Sequence, residues 1–339
     1  MNHRPFCLLL SISVTLGAVL GGCTRVVDES RVYSASDAAA NSSLSSAAPS
    51  SSSSQSSQQP SSSQPVTPSS SQSSQESSSQ SAQSSQVSST YVPAMSADYA
   101  RLEGLSTESQ GWGPGNQRDE RGRPYGSTAF QDQYGQYCAY FIAPDSPKVY
   151  LTFDEGYEAE GRYTVPILDT LKEKDCKAVF FVTGDYVRRN ADLVQRMIDE
   201  GHIVGSHSWS HPSMPGESVE DAAAELTQLH DYVKENFDYD MTLFRFPMGE
   251  FSEQSLALVQ DMGYQSVFWS FAYQDWEVDN QMAPADALAK IQQCAHPGAI
   301  FLLHAVSSTN ANILGQLIDW LREEGYEVSP YDLPYFARE

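Results

Sequence analysis

From Lys148 onward the chain alternates short apolar runs with amphipathic stretches, and this serial alternation restricts its fold more than any other feature. Val149-Tyr150-Leu151-Thr152-Phe153, Ala178-Val179-Phe180-Phe181-Val182-Thr183 and Ala299-Ile300-Phe301-Leu302-Leu303-His304 have strand length and the β-branched and aromatic residues that suit a covered, pleated surface. The runs His202 to His207, Leu243 to Phe246, Tyr264 to Ser270 and Tyr326 to Val328 read the same way. Helical signals lie between them. Thr164 and Pro166 open a helix with Ile167, Leu168 and Leu171 on one face, and a second through Leu193, Val194, Met197 and Ile198 closes on Gly201. A third runs from Val219 to Asn236, Ser252 caps one carrying Leu256, Val259 and Met262, another spans Ala287 to Cys294, and the last presents Ile313, Leu314, Leu317, Ile318 and Leu321. Strand and helix units in series imply an α/β fold on a parallel sheet. About seven such units, with no glycine-rich nucleotide turn, favour a closed or nearly closed barrel over an open doubly wound sheet.

The first part of the chain cannot join that fold. Arg4 and the apolar run Phe6 to Leu20 read as a signal segment, too short for a comfortable membrane span. The end of that run, Leu20-Gly21-Gly22-Cys23, resembles the lipobox of bacterial lipoproteins, which implies removal of residues 1–22 and a lipidated Cys23 that holds the protein at the membrane. The alternative is an ordinary secretory signal with an incidental cysteine. Residues 23–97 read as a disordered tether, almost wholly Ser and Gln from Ser42 to Thr90 and nearly without side chains able to form a core. That tract of about fifty residues would average roughly 40 Å end to end and stretch to on the order of 160 Å, enough to carry a domain off the membrane into a surrounding wall. Residues 98–147 show no sustained period and read as an irregular extension wrapping the main domain, 148–339.

A formal net charge of −23 without a long basic run opposes binding to DNA, RNA or another polyanion, because counterion release would have the wrong sign. A neutral or zwitterionic glycan, or a small molecule, is permitted. Of five cysteines, Cys7 leaves with the signal and Cys23 takes lipid, so at most one pair can form among Cys138, Cys176 and Cys294.

In parallel barrels chemistry gathers at the C-terminal strand ends. Here those ends carry Asp154 and Glu155, then His207 and His211, then Arg245, then Asp275, then His304. Adjacent carboxylates at a buried edge need a cation, a proton or solvent to be tolerable. A solvated strand end is the plainer reading of Asp154-Glu155-Gly156 taken alone, and a lone His pair is more often structural or exposed. In His207-Ser208-Trp209-Ser210-His211 the imidazoles are four residues apart, so one turn of helix would point both the same way. A nearby carboxylate would complete a two-histidine, one-carboxylate face for a divalent cation.

With these residues in view, the chain from Lys148 to the end resembles the polysaccharide deacetylase family, the NodB-homology fold, a distorted (β/α) barrel. Five motifs occur in order: Thr152-Phe153-Asp154-Glu155-Gly156, His207-Ser208-Trp209-Ser210-His211, Arg245-Phe246-Pro247-Met248-Gly249, Asp275-Trp276 and Leu302-Leu303-His304. The strings Tyr157-Glu158, Phe268-Trp269-Ser270 and Pro297-Gly298-Ala299-Ile300 look like the branch that deacetylates muramic acid residues during muramic δ-lactam formation in spore peptidoglycan. The resemblance implies a monomeric, extracytoplasmic hydrolase that removes N-acetyl groups from peptidoglycan strands. Asp154 would be the general base, and His207, His211 and Glu155 would hold a divalent metal ion, zinc foremost. The metal and a backbone N–H, that of Met248, would stabilise the oxyanion. His304 would act as general acid with Asp275 holding its charge, and Arg245 would lower the pKa of Asp154. Tyr157 and Trp276 become candidates to contact sugar, as does Trp209, whereas Trp269 inside a strand reads as core.

Glu155 departs from the family's usual Asp, and its extra methylene moves the carboxylate by roughly 1.5 Å, which puts metal affinity in question. Three other readings stay open: a deacetylase of N-acetylglucosamine, a non-catalytic wall-binding lipoprotein, and a glycoside hydrolase using a pair among Asp154, Glu155 and Glu158. The last leaves the three histidines without roles.

Overall fold

The computed structural model describes residues 93–156 and 161–336. The signal segment, Cys23, the tether as far as residue 92, and Tyr157 and Glu158 lie outside the described residues.

Ten strands occur among the described residues. In chain order they are β1 (Gln110–Gly111), β2 (Ala139–Tyr140), β3 (Lys148–Glu155), β4 (Val179–Val182), β5 (Ile203–Ser206), β6 (Leu243–Phe244), β7 (Glu250–Phe251), β8 (Gln265–Val267), β9 (Ile300–His304) and β10 (Glu327–Val328). All except β1 and β7 belong to one parallel sheet. β3 is its centre, with β4 in register from Thr152↔Val179 to Glu155↔Val182 on one edge and β9 from Tyr150↔Ile300 to Asp154↔His304 on the other. β5, β6 and β8 continue outward from β4. One parallel bridge, Phe271 to Phe301, then joins the continuation of β8 to β9 and closes the ring. The barrel is therefore the distorted one expected, and β5 and β6 meet through a single residue pair, Ser206 with Phe244.

Strand alternation sorts the side chains into two cores. Tyr150, Val179, Phe181, Leu243, Val267 and Ile300 fill the barrel interior. Their sequence neighbours Leu151, Phe153, Phe180, Val182, Phe244, Phe268 and Phe301 face the surrounding helices. The helix Ser308–Glu323 packs Ile313, Leu314, Leu317, Ile318 and Leu321 into that outer layer, as its 3.6-residue period requires.

The stretch 98–147 differs from its reading as irregular. It supplies the helix Tyr125–Tyr134, strand β2, which pairs in parallel with β8, and strand β1, which pairs antiparallel with β7. Trp112, Phe130 and Phe141 from this stretch join Phe251 and Phe268 in one aromatic cluster, with Phe141 stacked on Phe268 at 4.2 Å between centroids. Two-residue strands carry no readable period, which is why they escape a sequence-based reading.

The segment after β10 crosses the N-terminal mouth of the barrel. Tyr140 Oη donates to the Pro334 carbonyl at 3.0 Å, Gln265 Nε2 to the same oxygen at 2.8 Å, and Tyr150 Oη to Asp332 Oδ1 at 2.8 Å. Phe336 N donates to Cys138 Sγ at 3.4 Å. Cys138, Cys176 and Cys294 are all free thiols.

Candidate active site

At the opposite mouth, β3 ends on Asp154, whose main chain lies in register with His304 of β9 and Phe181 of β4. Arg245 follows β6, is fully buried, and passes through the interior toward Asp154, where Nη1 donates to Oδ1 at 2.8 Å. Its other two nitrogens are also engaged. Nε reaches the Val267 carbonyl at 2.9 Å, and Nη2 reaches Thr152 Oγ1 at 2.8 Å and the Phe268 carbonyl at 3.3 Å. The guanidinium lies 4.2 Å from the centroid of the Phe181 ring. Burial alone would raise the pKa of Asp154, but Arg245, with His207 and His304, holds it below the usual carboxylate value.

His207 and His211 do converge, with ring centroids 4.8 Å apart and planes at 77°. The expected helical turn is not what brings them together. Residues 207–211 are non-helical, and Ser208 and His211 adopt left-handed φ values of 66° and 62°. The turn is fixed by Ser208 Oγ, which accepts from His211 N at 2.9 Å, and by Ser206 Oγ, which accepts from Ser208 N at 3.3 Å. Gly184 N donates to the Trp209 carbonyl at 3.0 Å, and a Cβ at Gly184 would stand 2.4 Å from the Trp209 ring, so the approach requires glycine.

His207 Nδ1 lies 2.9 Å from the Arg245 carbonyl. A carbonyl only accepts, so Nδ1 carries the proton and Nε2 presents a lone pair. That nitrogen faces Asp154 Oδ2 at 3.5 Å. Two acceptors at this separation call for a proton or a cation between them. Burial depresses the pKa of His207, and burial together with the neighbouring His207 takes His211 down to about 3, so neither imidazole is charged at neutral pH.

Asp275, fully buried, accepts from His304 Nδ1 at 2.7 Å through Oδ1 and from His304 N at 2.8 Å through Oδ2. The His304 side chain keeps 19% of its surface exposed. Burial works against its protonation, but Asp275 and the more distant Asp154 outweigh this, and its pKa is raised. Trp276 stands half-buried beside it, with ring centroids 5.5 Å apart. Met248 lies in a left-handed turn (φ 58°, ψ 3°) that continues into Gly249 (φ 68°), and Trp112 N donates to the Gly249 carbonyl at 3.0 Å.

Glu155 is 1% exposed, and Thr164 Oγ1 donates to its two carboxylate oxygens at 3.4 and 3.3 Å; Tyr186 Oη in turn reaches Thr164 Oγ1 at 3.3 Å. Among the described residues no group of three or more His, Cys, Asp and Glu side chains is arranged to hold a metal ion. The structure thus gathers Asp154, His207, His211, Arg245, Asp275 and His304 at one mouth. It does not bring Glu155 together with the two imidazoles as a third donor. Thr152 and Thr164 were missed from sequence. The inward parity of Thr152, two residues before Asp154 on the same strand, was the available signal.

The sequence model of the polysaccharide deacetylase family matches residues 142–267. The peptidoglycan-N-acetylmuramic acid deacetylase PdaA of Bacillus subtilis (strain 168) is 40% identical over 206 residues, 60% of this chain and 78% of that protein. The solved structure of Bacillus subtilis PdaA, a family 4 carbohydrate esterase, matches with a TM-score of 0.62 at 35% identity, covering 66% of this chain and 95% of that one. The peptidoglycan-N-acetylglucosamine deacetylase PgdA of Listeria monocytogenes serotype 1/2a (strain 10403S) is 33% identical over 193 residues, 57% of this chain and 40% of that protein. A CE4 family pseudoenzyme from Bacillus anthracis matches with a TM-score of 0.51 at 28% identity, covering 55% of this chain and 64% of that one.

Proposed function

The chain belongs to the polysaccharide deacetylase family, and on that premise we propose that it hydrolyses N-acetyl groups of peptidoglycan, at N-acetylmuramic acid, with a divalent metal ion. One observation carries the reading. Asp154 and His304 are register partners on adjacent strands, and each has its own buried counter-ion, Arg245 for the carboxylate and Asp275 for the imidazole. A base kept ionised beside an acid kept protonated is what hydrolysis of an unreactive amide needs.

The donor chemistry of His207 and His211 fits a divalent cation. Both imidazoles are neutral, and His207 is locked in the tautomer that offers Nε2 toward an ionised carboxylate. These two residues would hold the metal, beside the ionised Asp154 carboxylate; Glu155, hydrogen-bonded to Thr164, is left out of the set. When bound, such an ion supplies Lewis-acid polarisation of water and of the amide carbonyl. Asp154 accepts the proton of the attacking water, and Arg245 keeps it ionised beforehand. His304 delivers a proton from Nε2 to the departing amine while Asp275 holds Nδ1. The left-handed Met248 turn offers a main-chain N–H to the developing oxyanion, and Trp276 beside His304 offers an apolar face to a sugar ring.

Muramic acid is preferred over glucosamine as the target sugar because of the likeness to PdaA, which spans more of that relative than the likeness to PgdA does. Residues 98–147 and 148–339 act as one catalytic body, carried on a tether of residues 23–97 from a lipidated Cys23 into the wall. The test is mass spectrometry of defined peptidoglycan strands, with and without stem peptide, after incubation with the protein, each candidate metal, or a chelator. Loss of acetyl from muramic acid with unshortened strands is the expected result, and it disappears on chelation. New reducing ends would instead point to glycoside hydrolysis. Strand binding without acetate release under every metal would point to a wall-binding protein.

A further inference from the structure

Behind the acid side of the site lies a buried polar pair with no role so far. Asn310, 1% exposed, is the third residue of the helix Ser308–Glu323, and its main-chain N–H donates to the capping Ser307 Oγ at 3.1 Å. Its side-chain Nδ2 donates to Asp275 Oδ2 at 2.5 Å and to the His304 carbonyl at 3.1 Å. Tyr273, 5% exposed, donates its hydroxyl to Asn310 Oδ1. Since a carboxylate and a carbonyl can only accept, Nδ2 must face them, and Oδ1 is left for the tyrosine. The orientation of the amide is therefore fixed from both ends.

The consequence falls on Asp275. Its Oδ2 is held by His304 N and Asn310 Nδ2, which sets the rotation of the carboxylate and so the placement of Oδ1 on His304 Nδ1. We propose that Asn310, oriented by Tyr273, is a positioning residue that fixes the Asp275 carboxylate and through it the proton-delivering imidazole of His304. Among the described residues the titratable and charged groups around that imidazole are Asp275, Asp154 across on β3, Arg245, and His207 and His211 from the β5 side; Asn310 adds hydrogen-bond donors without adding charge. A neutral amide is needed here. An ionised carboxylate in its place would set two acceptors against each other at Asp275 Oδ2, whereas a protonated one could still donate.

The inference rests on the deacetylase reading, and the test separates the two. In the full chain, Asn310→Leu, Asn310→Asp and Tyr273→Phe are compared with the unsubstituted protein by acetate release across pH, by thermal melting, and by the downfield proton NMR signal of His304 Nδ1. Asn310→Leu is expected to lower kcat by about 10- to 100-fold with little change in KM, and to shift or lose that signal. Asn310→Asp is expected to approach unsubstituted activity at the acidic end and to lose it as pH rises and the new carboxyl ionises, a descending limb at lower pH than the His304 limb of the unsubstituted enzyme. Tyr273→Phe is expected to cost a few-fold in kcat. Folded Asn310 variants with unchanged kcat, pH profile and Nδ1 signal would overturn the proposal. So would equal losses at every pH in both Asn310 variants with the signal unmoved, which is what mere packing predicts. If the Asn310 variants do not fold, Tyr273→Phe decides, and an unmoved Nδ1 signal and pH profile count against the proposal. Absence of acetate release from the unsubstituted protein would sink the deacetylase reading, while the Nδ1 signal would still report on the hydrogen-bond chain.

Discussion

Two sides of one mouth tune the same side chain in opposite directions. On the β5 side, buried His207 has the Arg245 carbonyl 2.9 Å from its Nδ1 and its pKa falls, as does that of half-buried His211 beside it. On the β9 side, His304 is also penalised by burial, but Asp275 sits on its Nδ1 at 2.7 Å and its pKa rises. Burial is common to both; what differs is the partner of Nδ1. A main-chain carbonyl at that nitrogen fixes the tautomer and leaves a neutral donor for a cation, whereas a carboxylate there stabilises the imidazolium. Ligand and acid are thus distinguished by one atom behind each ring.

Asp154 stands between the two sides, so its removal tests both at once. Asp154→Asn is expected to lower kcat for acetate release by about 10³- to 10⁴-fold, and it leaves the Arg245 charge buried and unpaired. Next in size, loss of the cation, by chelation or in His211→Ala, is expected to cost on the order of 10³-fold, with metal readdition restoring the chelated protein but not the variant. An activity indifferent to chelation would remove the distinction between the two histidine environments. Asp275→Asn is expected to cost about 10²-fold and to move the alkaline limb of the kcat/KM profile to lower pH. The sign follows from the raised pKa of His304: the acid is present below that value and is lost as pH rises through it, and without Asp275 this loss comes earlier. The smallest effect sharpens the rule away from the site. His202 and His296, pushed by burial to about 4 from an ordinary 6.5, stabilise the fold above the ordinary value and lose that contribution as pH falls toward 4. Melting temperature should decline by several degrees between about pH 6.5 and pH 4, and His202→Asn should flatten the decline.

The site residues could be read from sequence because parallel strands announce themselves and their C-terminal ends follow by counting. Asp154, Arg245, Asp275 and His304 were found this way and do meet. The route by which His207 and His211 converge could not be read, because a spacing of four suits a helical turn as well as a left-handed loop, and the loop is selected by the Ser206 and Ser208 hydroxyls together with the contact of Trp209 with Gly184. Glu155 was legible as a buried carboxylate, but its hydrogen bond to Thr164 depends on where the following helix begins, which a sequence locates only within a residue or two. Asn310 gave no signal at all, since an amide three residues after a serine cap reads as an ordinary helix start. β2 and the aromatic cluster around Trp112 were hidden for a related reason, being too short or too irregular to show a period.

The strap across the floor of the barrel bears on the order in which the domain can assemble. Tyr140 meets Pro334 across 194 residues of chain, and Cys138 meets Phe336 across 198. Such distant partners close late, because their loop entropy must be met before their contacts reward it. A chain that emerges with its N-terminus first can form β3, β4 and β5 early, but its interior stays open to water from below until Tyr331, Leu333 and Pro334 arrive. Sealing the floor of the barrel is therefore a late step, one that ties the two ends of the domain together.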